Sequence, residues 1–279
     1  MKYCVDYKRN FKYINDVDEI KINFRRTDTS LLDFILLHPN QRIIISIQDA
    51  DDFIAHDCIK IFDAIAIEHP EINFTFLLGH YVDYRHNDVK ELLKLLQENE
   101  IKHKYFFSDF VNNWDFLHGI MKLNPSDVYL VEDMGFEIDK AAALLHGAGI
   151  KIRVFPNVAQ STWSGTSALK KFFIRPDDID TYEPYVDVME FFGKEDSIET
   201  YYKIYAIDKK WMGKLSEVIL SFDNDTLDSR FILPQFAEYR IKCGKRCQKC
   251  KSCRICEAIE HLAATLEDKN IMIKKINNN

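Results

Sequence analysis

The sequence predicts a closed (β/α)8, TIM-like barrel that ends in a cysteine-rich metal-binding segment and a terminal helix. Three observations point to it. Short runs rich in Ile, Val, Phe and Tyr recur along the chain, several of them apolar on both faces, as strands buried in a parallel sheet are. Amphipathic stretches separate these runs, and strand follows strand at about 25 to 35 residues, the rhythm of βαβ units. Five of the seven cysteines fall within residues 243–256. Eight or so units favour closure, because closure removes the sheet edges. An open doubly wound sheet is the alternative, weakened because no Gly-x-Gly-x-x-Gly follows the first strand.

The strand candidates, in order, are KYCVDY, DEIKINF, RIIISIQD, INFTFLLG, KHKYFFSD, DVYLVED, KIRVFPN, KFFIRP and VDVMEFFG. That is one more than a barrel needs, and KYCVDY is the weakest. Among the helices, NDVKELLKLLQEN places Val89, Leu92, Leu93 and Leu96 on one face, with Asn87 as its cap. EIDKAAALLHGAG stops at glycines. Residues 195–222 read as helical, the polar stretch FDNDTLDSR follows, and EAIEHLAATLEDKN forms the last helix before a polar, frayed tail. With no long Gly/Ser linker, the division is a barrel over residues 1–222 and an extension over 223–279 docked on it.

A chain of 279 residues, 47% hydrophobic, can bury a sizeable core, and its net charge of −7 argues against a general basic coat for nucleic acid. No run reaches the roughly 18 apolar residues of a membrane span, and the start MKYCVDYKRN lacks a secretory apolar run. Two scattered cysteines plus one dense knot fit a reduced compartment, so the expected location is cytoplasmic, without membrane contact.

Barrel chemistry sits where strands end. The residues there are Asp6, Arg25, Asp49, His80, Asp109, Glu132, Asp133, Asn157, Gln160, Arg175 and Glu190. Of these, Glu132, Asp133, Arg175 and Glu190 are the catalytic candidates, since paired carboxylates serve acid–base work or hold a cation. Asn157, Gln160 and His80 are the substrate-binding candidates. The bland alternative is the ordinary polar mouth of a barrel. His118 and His146 read as plain helix residues, and no His-Glu-x-x-His, Gly-x-Ser-x-Gly or Walker loop occurs.

The segment RVFPNVAQSTWSGTSALKKFFIRPDDIDTYEPYVDVMEFFG resembles the core of the collagenase-like U-32 peptidase family. Three stretches carry the likeness. Val154 and Phe155, then Trp163, Ser164 and Gly165, resemble a strand and an aromatic-Ser-Gly loop. Arg175, Pro176, Asp177, Asp178 and Ile179 resemble an Arg-Pro-x-Asp turn into a helix. Glu190, Gly193, Tyr205, Gly213 and Leu215 resemble the next strand end and helix. The likeness spans about residues 125–260, and the first half of the chain shares only the βα rhythm. The resemblance implies a barrel, often with a [4Fe–4S] cluster, in a family that includes prephenate-using RNA hydroxylation proteins and annotated proteases. Where the family has cysteines in and after the loop, this chain has Gln160 or Ser161, and Ser167. Where many members have an Arg-Glu pair, it has Glu132 and Asp133.

The knot itself is CGKRCQKCKSCRIC, with Cys243, Cys247, Cys250, Cys253 and Cys256 as metal ligands, four of the five sufficing. The Cys-x2-Cys-x2-Cys run is closer to a ferredoxin-type loop, which favours a [4Fe–4S] cluster slightly over Zn2+. Cys243, Cys247 and Cys250 also match the radical S-adenosylmethionine spacing, but at the wrong end of a barrel. Lys242, Lys245, Arg246, Lys249, Lys251 and Arg254 could meet RNA or a protein partner, or simply offset thiolate charge. Three functions follow: an enzyme acting on RNA or a small organic substrate by hydroxylation-type chemistry, a non-catalytic barrel stapled by its metal, or, by family name only, a protease.

Overall fold

The computed structural model describes residues 1–7, 11–23, 30–47, 52–79, 93–94, 96–97, 103–133, 135–160, 168–243 and 255–277. The strands are β1 (Lys2–Asp6), β2 (Glu19–Asn23), β3 (Arg42–Ser46), β4 (Asn73–Leu78), β5 (Lys104–Phe107), β6 (Phe110–Val111), β7 (Asp127–Leu130), β8 (Lys151–Val154) and β9 (Val188–Glu190). The helices are α1 (Ser30–Leu37), α2 (Asp52–Glu68), α3 (Trp114–Met121), α4 (Ile138–Gly147), α5 (Ile179–Tyr182), α6 (Glu195–Tyr202), α7 (Phe236–Cys243) and α8 (Ile255–Asn277). The chain divides into two compact units. The first holds residues 1–130, 145–153 and 187–190; the second holds 131–144, 154–186 and 191–279. The expected boundary at 222/223 lies inside the second unit.

The first unit is built on one sheet in the order β5-β4-β3-β2-β1-β9-β8-β7-β6, with parallel pairing wherever a register is defined. Its strands form for the reason their sequences suggest. In β3, Ile43, Ile44 and Ile45 are all fully buried, so both faces are covered. On α2, Ala55, Cys58, Ile59, Phe62 and Ile65 are buried at helical spacing, and the Phe62 ring meets Phe74 at 5.0 Å.

The sheet curls, and its inner face proves it. Arg42 on β3 donates to Asp127 on β7 at 2.7 Å. The two strands stand five places apart in the sheet, about 24 Å if it were flat. Only a curled, barrel-like sheet brings their side chains together. The two edge strands, β5 and β6, are separated by only Ser108 and Asp109, and Ser126, just before β7, donates to the Tyr105 carbonyl on β5 at 2.7 Å.

The curled interior is filled by ions rather than by aliphatic layers. Glu19, Asp127 and Glu190 face Arg42, Arg153 and Lys21. Arg153 Nη1 donates to Glu19 at 2.6 Å and to Asp127 at 3.3 Å, and Nη2 donates to Glu190 at 3.2 Å. Arg42 also reaches Glu19 at 3.2 Å and Thr75 at 2.9 Å. Three carboxylates against three cations leave no net charge to bury, which makes the arrangement tolerable. A one-residue slip of any of these strands would turn its ion outward, so the network also specifies register.

In the second unit KFFIRP is not a strand, contrary to the sequence pattern. Phe172, Phe173 and Ile174 are fully buried as predicted. Their backbone makes one antiparallel bridge, Gln160 to Phe172, and Pro176 then opens a short 3-10 turn instead of a ladder. The helical reading of 195–222 holds for α6, for the π-turn Lys203–Asp208, which ends at left-handed Lys209 (φ 46°), and for a short 3-10 turn at Leu215–Glu217. KYCVDY, the weakest strand candidate, lies mid-sheet between β2 and β9. Of the predicted NDVKELLKLLQEN helix, residues 93, 94, 96 and 97 are described and helical, with Leu93 and Leu96 buried. Among the described residues no helix is long and apolar enough to cross a membrane.

Candidate functional site

Glu132 follows β7 by two residues and is 2% exposed. Its partner in the second unit is Arg240 on α7, whose Nη2 lies 3.9 Å from Glu132 Oε2. Arg240 is itself 2% exposed and is fixed by donating to the Lys171 carbonyl at 2.7 Å and the Phe173 carbonyl at 3.2 Å. Its guanidinium stacks 4.8 Å from the Phe173 ring centre. Burial opposes the Arg240 charge, but Tyr182, Glu132, Cys256 and Asp178 outweigh it and hold the group above its ordinary value.

Tyr182, the last residue of α5, completes this cluster. Its hydroxyl is buried with no hydrogen-bond partner among the described residues. Burial pushes the phenol up, the Arg240 charge pulls it down, and Glu132, Asp178 and Arg175 add smaller effects. The phenol therefore feels two guanidinium groups and two carboxylates. A buried donor with nothing to donate to is an uncommon feature of a settled core. Gln160 Oε1 is another of the buried atoms without a hydrogen-bond partner among the described residues.

Other predicted residues are committed elsewhere. Arg175 Nε and Nη2 grip Asp178 at 2.7 and 2.6 Å, a bidentate pair that is almost fully buried. Asn157 accepts from the Phe192 amide at 3.1 Å and donates to its carbonyl at 2.6 Å, which clamps the chain after β9. Asp133 makes an antiparallel bridge to Phe136. Glu190 belongs to the first unit, where it accepts from Lys21, from Tyr129 at 2.7 Å and from Arg153. Burial disfavours its charge, yet Lys21 and Arg153 prevail and keep its carboxyl below the usual range. His80 lies outside the described residues.

Of the cysteine knot, Cys247, Cys250 and Cys253 also lie outside the described residues. Cys243 ends α7 and Cys256 sits in the first turn of α8, both half-buried. Each of these two helices is anchored on the same short stretch. Arg240 on α7 holds the carbonyls of Lys171 and Phe173, and α8 holds Leu169 N through Glu260 at 2.7 Å and Lys170 through Glu257 at 2.7 Å. The described ends of the knot are thus tied to residues 169–173. Among the described residues no group of three or more His, Cys, Asp or Glu forms a metal site.

Reading strand ends found Glu132 and Arg175, which do share a neighbourhood through Tyr182. It missed Tyr182 and Arg240. Arg240 sits in the mixed helix FAEYRIKC, and nothing in that sequence marks it as the residue facing Glu132. No family model matches the chain, and no curated protein matches it.

Proposed function

We propose that the chain is a U-32-like (β/α)8 barrel enzyme, in which β5 and β6 are two parts of one strand and the sheet closes through them. Its reaction is of the hydroxylation type, on RNA or a small organic substrate, beside a thiolate-bound metal centre. One observation carries this reading: Arg240 contacts Glu132 and stands one helical turn before Cys243. An acidic candidate therefore lies against the helix that leads into the cysteine knot.

In this reading Glu132 takes or gives the proton at the reacting centre, Arg240 orients it, and Tyr182 donates its hydroxyl hydrogen bond to the substrate. Arg175 is a positioning residue, since its Nε and Nη2 are given to Asp178. Four of Cys243, Cys247, Cys250, Cys253 and Cys256 would hold a [4Fe–4S] cluster or Zn2+. The metal would supply either electron transfer or a fixed fold; four thiolates leave no open position for substrate. The basic residues of the knot would face an RNA or protein partner.

The test is anaerobic purification with iron, sulfide and zinc analysis, paired with mass spectrometry of RNA nucleosides from cells carrying each variant. Replacing Cys243, Cys247, Cys250, Cys253 and Cys256 together with Ser is expected to lose metal. Glu132→Gln is expected to keep its metal and lose the modified nucleoside or metabolite. If Glu132→Gln leaves both unchanged, the catalytic role is refuted. A second reading, a non-catalytic barrel with a metal staple, is favoured by the saturated pairs at Arg175 and Asn157. It predicts that replacing all five cysteines of the knot with Ser unfolds the second unit while Glu132→Gln has no cellular effect.

A further inference from the structure

The first unit contains a cavity of about 490 Å³ at the N-terminal ends of its strands. Arg42, Lys104 and Lys151 are the first residues of β3, β5 and β8, and all three line it. His103, Asn124 and Ser126 add polar groups, and no carboxylate stands among the described lining residues. In a chain of net charge −7, a concave wall with three permanent cations and no acid is out of character.

The three cations are not equally committed. Arg42 is consumed by Asp127 and Glu19. Lys151 is 3.9 Å from Glu19, beyond a hydrogen bond, and keeps 38% of its side chain exposed. Lys104 is exposed and has no ion-pair partner among the described residues. Partial burial and the Arg42 charge hold Lys151 below the ordinary lysine value. An anion placed between Lys104 and Lys151 would relieve that repulsion. Leu96, Pro125 and the Tyr105 ring supply apolar wall for an attached organic group, and the volume suits a small ligand.

We propose that this cavity binds a phosphate group, as free phosphate or as the monoester of a small molecule, through Lys104 and Lys151. The site is independent of the proposed catalytic reading, and its test needs no activity. Calorimetric titration of the full chain would use inorganic phosphate, adenosine monophosphate and adenosine. Phosphate and the monophosphate are expected to bind saturably, with affinity falling as salt rises from about 0.05 to 0.5 M. Adenosine is expected not to bind. Tighter binding of the monophosphate assigns an ester ligand; tighter binding of phosphate assigns the free ion.

Both lysines are at least partly exposed, so the double variant Lys104→Gln/Lys151→Gln is expected to fold, as circular dichroism would verify. It should weaken binding by about tenfold or more. The proposal is overturned if the wild type shows no saturable binding up to about 10 mM ligand, if the double variant binds equally well, or if adenosine binds as tightly as its monophosphate.

Discussion

Replacing Arg153 with Met tests whether the ions inside the curled sheet act as the fold's keystone. Arg153 is fully buried and supplies three ionic hydrogen bonds, to Glu19, Asp127 and Glu190. Removing one partner of a buried ion pair costs about 3–5 kcal/mol, because the other charge is left uncompensated. Here each carboxylate keeps a second partner. Glu19 and Asp127 keep Arg42, at 3.2 and 2.7 Å, and Glu190 keeps Lys21 and the Tyr129 hydroxyl. The expected loss therefore lies at the lower end, about 3 kcal/mol. At about 2–4 °C per kcal/mol for a chain of this size, the melting temperature should fall by about 6–12 °C. Urea unfolding followed by circular dichroism measures the free energy, and a thermal scan measures the shift. Arg153→Lys should recover only part of the loss, since one ammonium cannot fork between three acids. A loss under about 1 kcal/mol, the scale of a surface pair, would refute the reasoning. It would mean that the three acids are not held by charge.

The same network should respond to acid. Burial opposes ionisation of Asp127, but hydrogen bonding from Arg42 and the Arg153 charge hold its carboxyl well below the usual range. A depressed carboxylate stabilises above its unfolded value, about 3.9 for Asp, and loses that contribution as pH falls through the lower folded value. Stability should therefore drop steeply below about pH 4, and Asp127→Asn should flatten that limb in pH-dependent urea titrations. Arg240→Leu removes the donor to two buried carbonyls and the partner of Glu132. It should cost on the order of 3 kcal/mol and speed tryptic cleavage within the lysine- and arginine-rich residues 242–254; unchanged cleavage would contradict anchoring of the knot by α7. Asn113 caps α3 by accepting from the Phe116 amide at 2.9 Å. Asn113→Ala should lower the unfolding free energy by about 1 kcal/mol, read from the same urea curves.

Local pattern carried a large part of the architecture. Runs such as RIIIS and NFTFLL cannot hide both faces except in a covered sheet, so their strand character was legible. EIDKAAALLHGAG declared its helix, with Ile138, Ala141, Ala142 and Leu145 buried on one side. KFFIRP deceived because burial alone does not choose between a ladder and an irregular buried segment; the backbone partners of Phe172 and Ile174 come from residues 160 and 156 of a loop. Among the site residues, Glu132 and Arg175 were visible as charges at the ends of apolar runs. Tyr182 looked like any amphipathic helix residue.

Read by itself, the sequence determined the alternation of strands and helices and the parallel character of the sheet. These follow from local periodicity and side-chain branching. Only the tertiary structure decided which charges meet. Arg153 and Glu19 are 134 positions apart, and Arg42 and Asp127 are 85 apart. A charged residue inside a strand run signals that a partner must exist. The curl of the sheet chooses that partner, because it sets which strands face one another across the interior.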